Sequence, residues 1–278
     1  MNPASSLPLL KSQFNCVMDM VGLPGLAIHF QSCGITALLF DPRSTGLSGG
    51  TLRNEIDPHK QIEDLSDALT FLSSQPSVEP SQLGFWGFSF GGTVALCAAS
   101  LDKRAKFVIA INPLTDFDFE PGKQAKVLAK CIKDRESQLN GNPPFSLPMI
   151  NERGENVVGF GHGIDKERYA RIVTVGNQVA PNHVNRVTLQ TYYKLVMFQP
   201  FSLWRIIGPT KVLWICAEKD EMSYPKLQKQ YYEGLETPKR MQIVEGAGHE
   251  NVLLDEHFKD VAAKQADFIK AVIDSSFE

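Results

Sequence analysis

Long apolar runs are missing from this chain. No stretch of about 18 consecutive apolar residues occurs, so no membrane-spanning helix is encoded. Cysteine is scarce: the five residues Cys16, Cys33, Cys97, Cys131 and Cys216 are scattered, odd in number and free of Cys-x-x-Cys spacing. That pattern excludes a disulfide framework and a zinc site, and it fits a reducing compartment, so the expected location is the cytoplasm. Cys97 and Cys216 lie inside apolar runs and read as small buried hydrophobes. An excess of one charge is also absent. Lys and Arg number 28 against 31 Asp and Glu, a net charge of −3, which gives no footprint for nucleic acid or an anionic membrane. The one basic cluster, Asp102 to Lys106, is short and reads as a solvated loop. The first residues, MNPASSLPLLKSQ, lack a basic segment followed by a long apolar stretch and are not read as a signal peptide. There is no internal repeat and no low-complexity tract. No metal and no cofactor is expected.

What is present is an ordinary globular composition: 278 residues, 43% hydrophobic and 21% charged, enough for one large domain or a core with an inserted subdomain. Short apolar runs alternate with longer amphipathic ones. ITALLF (Ile35 to Phe40) is continuous rather than alternating and reads as a buried strand. Between Pro58 and Gln75, Ile62, Leu65, Ala68, Leu69 and Leu72 recur at helical steps. Strands are predicted at Gln82 to Phe88, Lys106 to Asn112, Thr210 to Glu218 and Lys239 to Gly246. Helices are predicted at Gly92 to Leu101, near Pro225 to Leu235, and from His257 to Ile273. Such alternation implies a mostly parallel sheet flanked by helices. From about Leu114 to Ile207 the rhythm breaks, with NGNPPFSLP and GFGHGID among helical stretches. We read residues 1–113 and 208–278 as an α/β core and residues 114–207 as a helical cap inserted above it.

The segment GFWGFSFGGTVAL, Gly84 to Leu96, holds the chemical signal. Its GFSFG matches the Gly-x-Ser-x-Gly turn in which a serine stands between a strand and a helix. The turn strains the serine backbone, and small residues two positions either side let strand and helix approach closely. The bland reading, an inert buried serine, explains neither the glycines nor the flanking strand and helix. A serine hydroxyl is a poor nucleophile alone and needs a base and a group that orients it. Asp220 lies just past an apolar strand, flanked by Glu218 and Glu221 as rival acids, and His249 follows in a Gly-rich loop after the next strand. Carboxyl ends of parallel strands can gather all three. His29, His59, His183 and His257 read as structural or solvated, while His162 in GFGHGID is open to a substrate contact.

These motifs resemble the α/β-hydrolases. The stretches FDPRSTGLSGGTLRNEIDPHKQIEDLSDALTFL and GFWGFSFGGTVALCAASLDKRAKFVIAINP, with the acid and histidine loops, are similar to fungal hydrolases and polyketide transferases of secondary metabolism. The resemblance implies an eight-stranded, mostly parallel sheet with a helical cap before the acid. It implies Ser89 as nucleophile, Asp220 as acid and His249 as base, with the backbone N–H groups of Phe90 and Phe14 as the oxyanion hole. Asp41, Arg43 and Gly46 match a D-x-R-x-x-G loop read as structural and rimming the site. Two departures stand out. Ser12 and Gln13 occupy the place where members commonly carry His-Gly, and one missing oxyanion donor typically costs about 10²–10³ in rate. The family's first two strands find no counterpart ahead of SLPLLKS, which leaves ITALLF as a sheet edge. Bare edges template other strands, so the expectation is a covered edge, most simply by a second copy in a two-fold dimer; the rival reading is a misassigned start at Met1, with the first two strands carried upstream.

The implied activity is a serine hydrolase or acyltransferase working on an ester or thioester of a hydrophobic, polyketide-like acyl chain, free or borne by a carrier protein. Phe88, His162 and Tyr192 are the expected substrate contacts. Phe14, Phe85, Trp86, Phe88 and Phe90 suit an apolar acyl group, although Phe85 and Trp86 read equally well as core. Two alternatives remain at this level: cyclisation, condensation or elimination on the same scaffold, because fold does not fix function, and a catalytically silent partner subunit.

Overall fold

Three uninterrupted apolar strands form the centre of the sheet: β3 (Gly84–Phe88), β4 (Phe107–Ile111) and β7 (Lys211–Ala217). A strand covered on both faces has no solvent side, so its sequence has no reason to alternate. In a computed structural model the chain is described at residues 9–10, 17–20, 22–161 and 166–277. The remaining sheet strands are β1 (Leu9–Leu10), β2 (Ala37–Leu38) and β8 (Lys239–Val244). Their order is β2-β1-β3-β4-β7-β8, and every neighbouring pair is parallel. The described sheet thus has six strands where the family pattern implies eight. The ITALLF run contributes Ala37 and Leu38 to the ladder rather than its full length. Its described partner is Leu9–Leu10 of β1, and among the described residues β2 forms one edge of the sheet.

Successive side chains leave a strand on opposite sides, and the sheet accordingly feeds two cores. Phe85, Val108, Ala110, Val212, Trp214 and Cys216 pack on one side against α2 (Pro58–Ser73) and α3 (Phe90–Leu101). Trp86, Phe107, Ile109, Leu213 and Ile215 pack on the other against α1 (Leu23–Ser32) and α9 (Asp255–Ile273). The start of α2 is locally encoded. Pro58 occupies its first turn, and the Asp57 side chain accepts from the N–H groups of His59 and Lys60.

Between β4 and β7 lie α4 (Gln124–Leu139), α5 (Lys166–Val179), α6 (Leu189–Met197), α7 (Phe201–Trp204) and an antiparallel pair, β5 (Ser146–Leu147) with β6 (Val187–Thr188). Val127, Cys131, Phe160, Tyr192, Leu195, Phe198 and Trp204 from this segment join the α2/α3 core. It is also pinned to the loop ahead of α2. The Ile56 N–H donates to Thr191 Oγ1 at 3.0 Å, and Lys194 Nζ reaches Glu55 and Asp57 at 2.8 Å each. Among the described residues no helix is long and apolar enough to cross a membrane.

Candidate active site

The turn between β3 and α3 is held by contacts that permit few other residues. Ser89 has φ 56 and ψ −129, a left-handed conformation that costs a non-glycine residue about 1–3 kcal/mol. Its N–H still donates to Ile111 O at 2.8 Å, continuing the β3–β4 ladder, and its carbonyl accepts from Gly92 N at 2.8 Å and Leu114 N at 3.2 Å. Any Cβ on Gly87 would sit 2.1 Å from Gly91 O, so the strand enters the turn only as glycine. The result presents the Ser89 side chain half-exposed above the sheet, ahead of the N-terminus of α3.

His249 comes to it from the loop after β8. Its Nε2 lies 2.8 Å from Ser89 Oγ, and its Nδ1 lies 2.9 and 3.0 Å from the two carboxylate oxygens of Asp220. The carboxylate accepts only, so Nδ1 carries the proton and Nε2 faces the serine hydroxyl with its lone pair. Asp220 stands three residues past the end of β7. Its Oδ1 accepts from Met222 N at 2.9 Å and Ser223 N at 2.8 Å, and its Oδ2 from Gln228 Nε2 at 3.1 Å. Both His249 and Asp220 are buried. The neighbouring carboxylates take other places: Glu218 accepts from Gly246 N at 2.8 Å, and Glu221 is exposed.

Two further residues complete the frame and carried no recognised motif. Asn112, at φ 43 just past β4, donates from Nδ2 to His249 O at 2.9 Å and accepts from Ala217 N at 2.8 Å. It therefore ties the histidine loop to the ends of two strands. Gln228, on α8 (Pro225–Glu233), donates from Nε2 to Asp220 Oδ2. An Asn-Pro pair after an apolar strand was the one local hint for Asn112; Gln228 had none.

The predicted substrate contacts are distributed as follows. The Phe88 ring lies 5.1 Å from the His249 ring, centroid to centroid. Tyr192 is placed inside the cap, wholly buried, where its hydroxyl accepts from Asn156 Nδ2 at 3.2 Å and its ring packs on Phe119 and Phe160. Burial pushes its phenol up to about 12, against the hydrogen bond from Asn156, so it stays neutral. Phe14, Ser12, Gln13 and His162 lie outside the described residues. Phe90, the first residue of α3, is buried and meets Phe117 and Phe198 edge-on at 6.1 Å each. Phe117 is half-buried and touches Phe160 and Phe201 in turn, so an aromatic wall runs from the turn into the cap.

Asp41 serves structure. Its carboxylate accepts from Met18 N and Leu47 N at 2.7 Å each, and a Cβ on Gly46 would strike its Oδ2 at 2.1 Å. Arg43 pairs with Asp64. Two buried cysteines are held in the thiol form. Burial holds the thiols of Cys97 and Cys216 at about 12, the negative charge of Asp220 adding to the effect at Cys216. No group of three or more metal-ligating side chains occurs among the described residues.

Comparison with known proteins agrees with this geometry at the level of family. Residues 14–264 match the model of the alpha/beta hydrolase family. A thiohydrolase of Eupenicillium brefeldianum is 46% identical over 92% of this chain and 83% of its own length. A polyketide transferase of Stachybotrys chlorohalonatus is 41% identical over 90% of this chain and 84% of its own. Among solved structures, DcsB in complex with its substrate analogue superposes with a TM-score of 0.90 at 39% identity, over 96% of this chain and 90% of that one. The α/β hydrolase GrgF from Penicillium follows at 0.85 and 34%, over 96% and 90%. A strand-to-helix serine turn, a parallel sheet and a match spanning most of the chain make this protein a member of the α/β-hydrolase family.

Proposed function

We propose that the protein is a serine-dependent acyl-transferring enzyme acting on an ester or thioester of a hydrophobic, polyketide-like acyl chain. The observation that carries this reading is the continuous hydrogen-bonded chain from Ser89 Oγ through His249 to Asp220. Ser89 Oγ attacks the acyl carbonyl carbon while its proton passes to His249 Nε2. Asp220 holds the imidazole and balances the imidazolium charge. Backbone N–H groups of Phe90 and Phe14 receive the oxyanion. Collapse expels the thiolate or alkoxide, which takes the proton from His249 and leaves an acyl-serine. An acceptor hydroxyl then attacks the acyl carbon, gives its proton to His249, and the proton returns to Ser89 as the product leaves.

The acyl class rests on two supports. The aromatic wall of Phe90, Phe117 and Phe198 suits an apolar chain. Relatives are named thiohydrolase and polyketide transferase. The nearness of the Phe88 ring to that of His249 supports reading Phe88 as a contact of the acyl group close to the carbonyl.

The test is covalent labelling with a fluorophosphonate, followed by digestion and mass spectrometry. An adduct on Ser89 that is absent from Ser89→Ala is the expected result. A folded protein that stays unlabelled, or carries the adduct elsewhere, overturns the assignment. Polyketide-like thioesters offered with water alone or with added alcohols then separate hydrolysis from transfer.

A further inference from the structure

We infer that Gln228 is a positioning residue: it holds Asp220 in the orientation His249 requires, and Trp214 fixes which end of the Gln228 amide does so. This rests on the roles proposed for Ser89, His249 and Asp220. Gln228 is wholly buried on α8. A buried glutamine gives up amide hydration that a methionine of similar shape would not. Its retention is explained by its bonds. Oε1 accepts from Trp214 Nε1 at 3.0 Å, while Nε2 donates to Asp220 Oδ2 at 3.1 Å and to Ser223 O at 2.6 Å.

The two ends of an amide have nearly the same shape, so orientation must come from the partners. An indole N–H only donates, and it therefore requires the carbonyl end. A carboxylate and a backbone carbonyl only accept, and they require the NH₂ end. All three partners demand the same orientation, so the NH₂ end cannot turn away from Asp220. On the carboxylate, Oδ1 is fixed by two backbone N–H groups, whereas among the described residues Oδ2 has Gln228 as its one donor besides His249. Without Gln228 the carboxylate is held, apart from the imidazole that it must itself orient, at one oxygen and can rotate about its terminal torsion. The imidazole that it orients loosens with it.

The consequence is chemical as well as steric. In Gln228→Glu the new carboxyl can donate to Asp220 only while protonated. Burial beside a second carboxylate holds that proton on and raises its pKa. Variant activity relative to wild type therefore falls as pH rises, a trend that a packing role does not produce.

The experiment follows the rate of Ser89 labelling by a fluorophosphonate between pH 5 and 9 in wild type, Gln228→Met, Gln228→Glu and Trp214→Phe. Thermal melts confirm that each is folded. Wild-type labelling at Ser89 tests the underlying reading separately; if it fails, that reading falls first. With it established, Gln228→Met should label about ten-fold more slowly, the scale on which supporting hydrogen bonds of a reactive site are felt. Gln228→Glu should approach wild type at the acid end and lose ground steadily above it. Trp214→Phe, which leaves Gln228 in place but removes the indole donor, should fall between wild type and Gln228→Met. It decides the matter if either Gln228 variant does not fold. Wild-type rates in Gln228→Met or Trp214→Phe, or a pH-independent ratio for Gln228→Glu, overturn the inference.

Discussion

Replacing Asn112 by glycine removes two hydrogen bonds without disturbing the backbone. The Asn112 side chain is wholly buried, and its φ of 43 lies in the region that glycine enters freely. Its loss leaves His249 O and Ala217 N unpaired in a setting where both residues are buried. Each unsatisfied buried group costs about 1–3 kcal/mol, so about 4 kcal/mol in all is expected. At about 2–4 °C per kcal/mol for a domain of this order of size, the melting temperature should drop by about 10 °C. Asn112→Ala should lose about 1 kcal/mol more, because alanine is strained at positive φ. The histidine loop, released from β4, should also misplace Nε2 relative to Ser89 Oγ, now 2.8 Å away. A displacement near 1 Å is worth about 10² in rate. Urea unfolding and the rate of fluorophosphonate labelling measure the two effects on one preparation. An Asn112→Gly protein within about 1 kcal/mol of wild type and labelled at an unchanged rate would refute the bracing role.

Three further outcomes follow from named contacts. Ser89→Gly relieves the backbone strain at φ 56 and should melt about 2–4 °C above Ser89→Ala, which keeps it; equal melting points would show that the turn stores no strain. Asp220→Asn should retain the fold while acyl transfer falls by about 10⁴, because the imidazole is left in the wrong tautomer; normal turnover there, with loss at Glu218→Gln, would transfer the role to Glu218. Lys194 bridges the cap to Glu55 and Asp57. Burial pushes the Asp57 pKa up and that of Lys194 down, but their mutual hydrogen bond and charge outweigh it, leaving Asp57 net lowered and Lys194 net raised. The bridge therefore stabilises across neutral pH. Its contribution is lost as pH falls through the lowered Asp57 value or rises through the raised Lys194 value. Lys194→Met should cost about 1 kcal/mol in low salt between about pH 5 and 9, with the difference closing in strong acid. A gap that stays constant down to pH 2 would show that lost packing, not the ion pair, is responsible.

The elements around the site were legible where the cause is local. GFWGF, FVIAI and VLWICA are strands because continuous apolar residues must be covered on both faces, and the structure places them side by side at the sheet centre. Asp57-Pro58 announces a helix through its cap and its fixed φ. The Gly-x-Ser-x-Gly turn was readable because steric exclusion at Gly87 acts over four residues of chain. Asp220 was named from the sequence over Glu218 and Glu221, and the structure places Asp220 on His249; the contacts that turn it inward, while Glu218 caps the loop after β8, were not legible. The same limit applies to Tyr192, whose helix α6 presents it to Asn156 inside the cap. Asn112 meets His249 across 137 residues of chain, and Gln228 meets Trp214 and Asp220 only when α8 folds back on β7. Periodicity, caps and tight turns are fixed by neighbours along the chain, so the sequence determined the strands, the helices and the serine turn. Which buried amide faces which carboxylate depends on how separate elements pack, and the tertiary structure alone decided that.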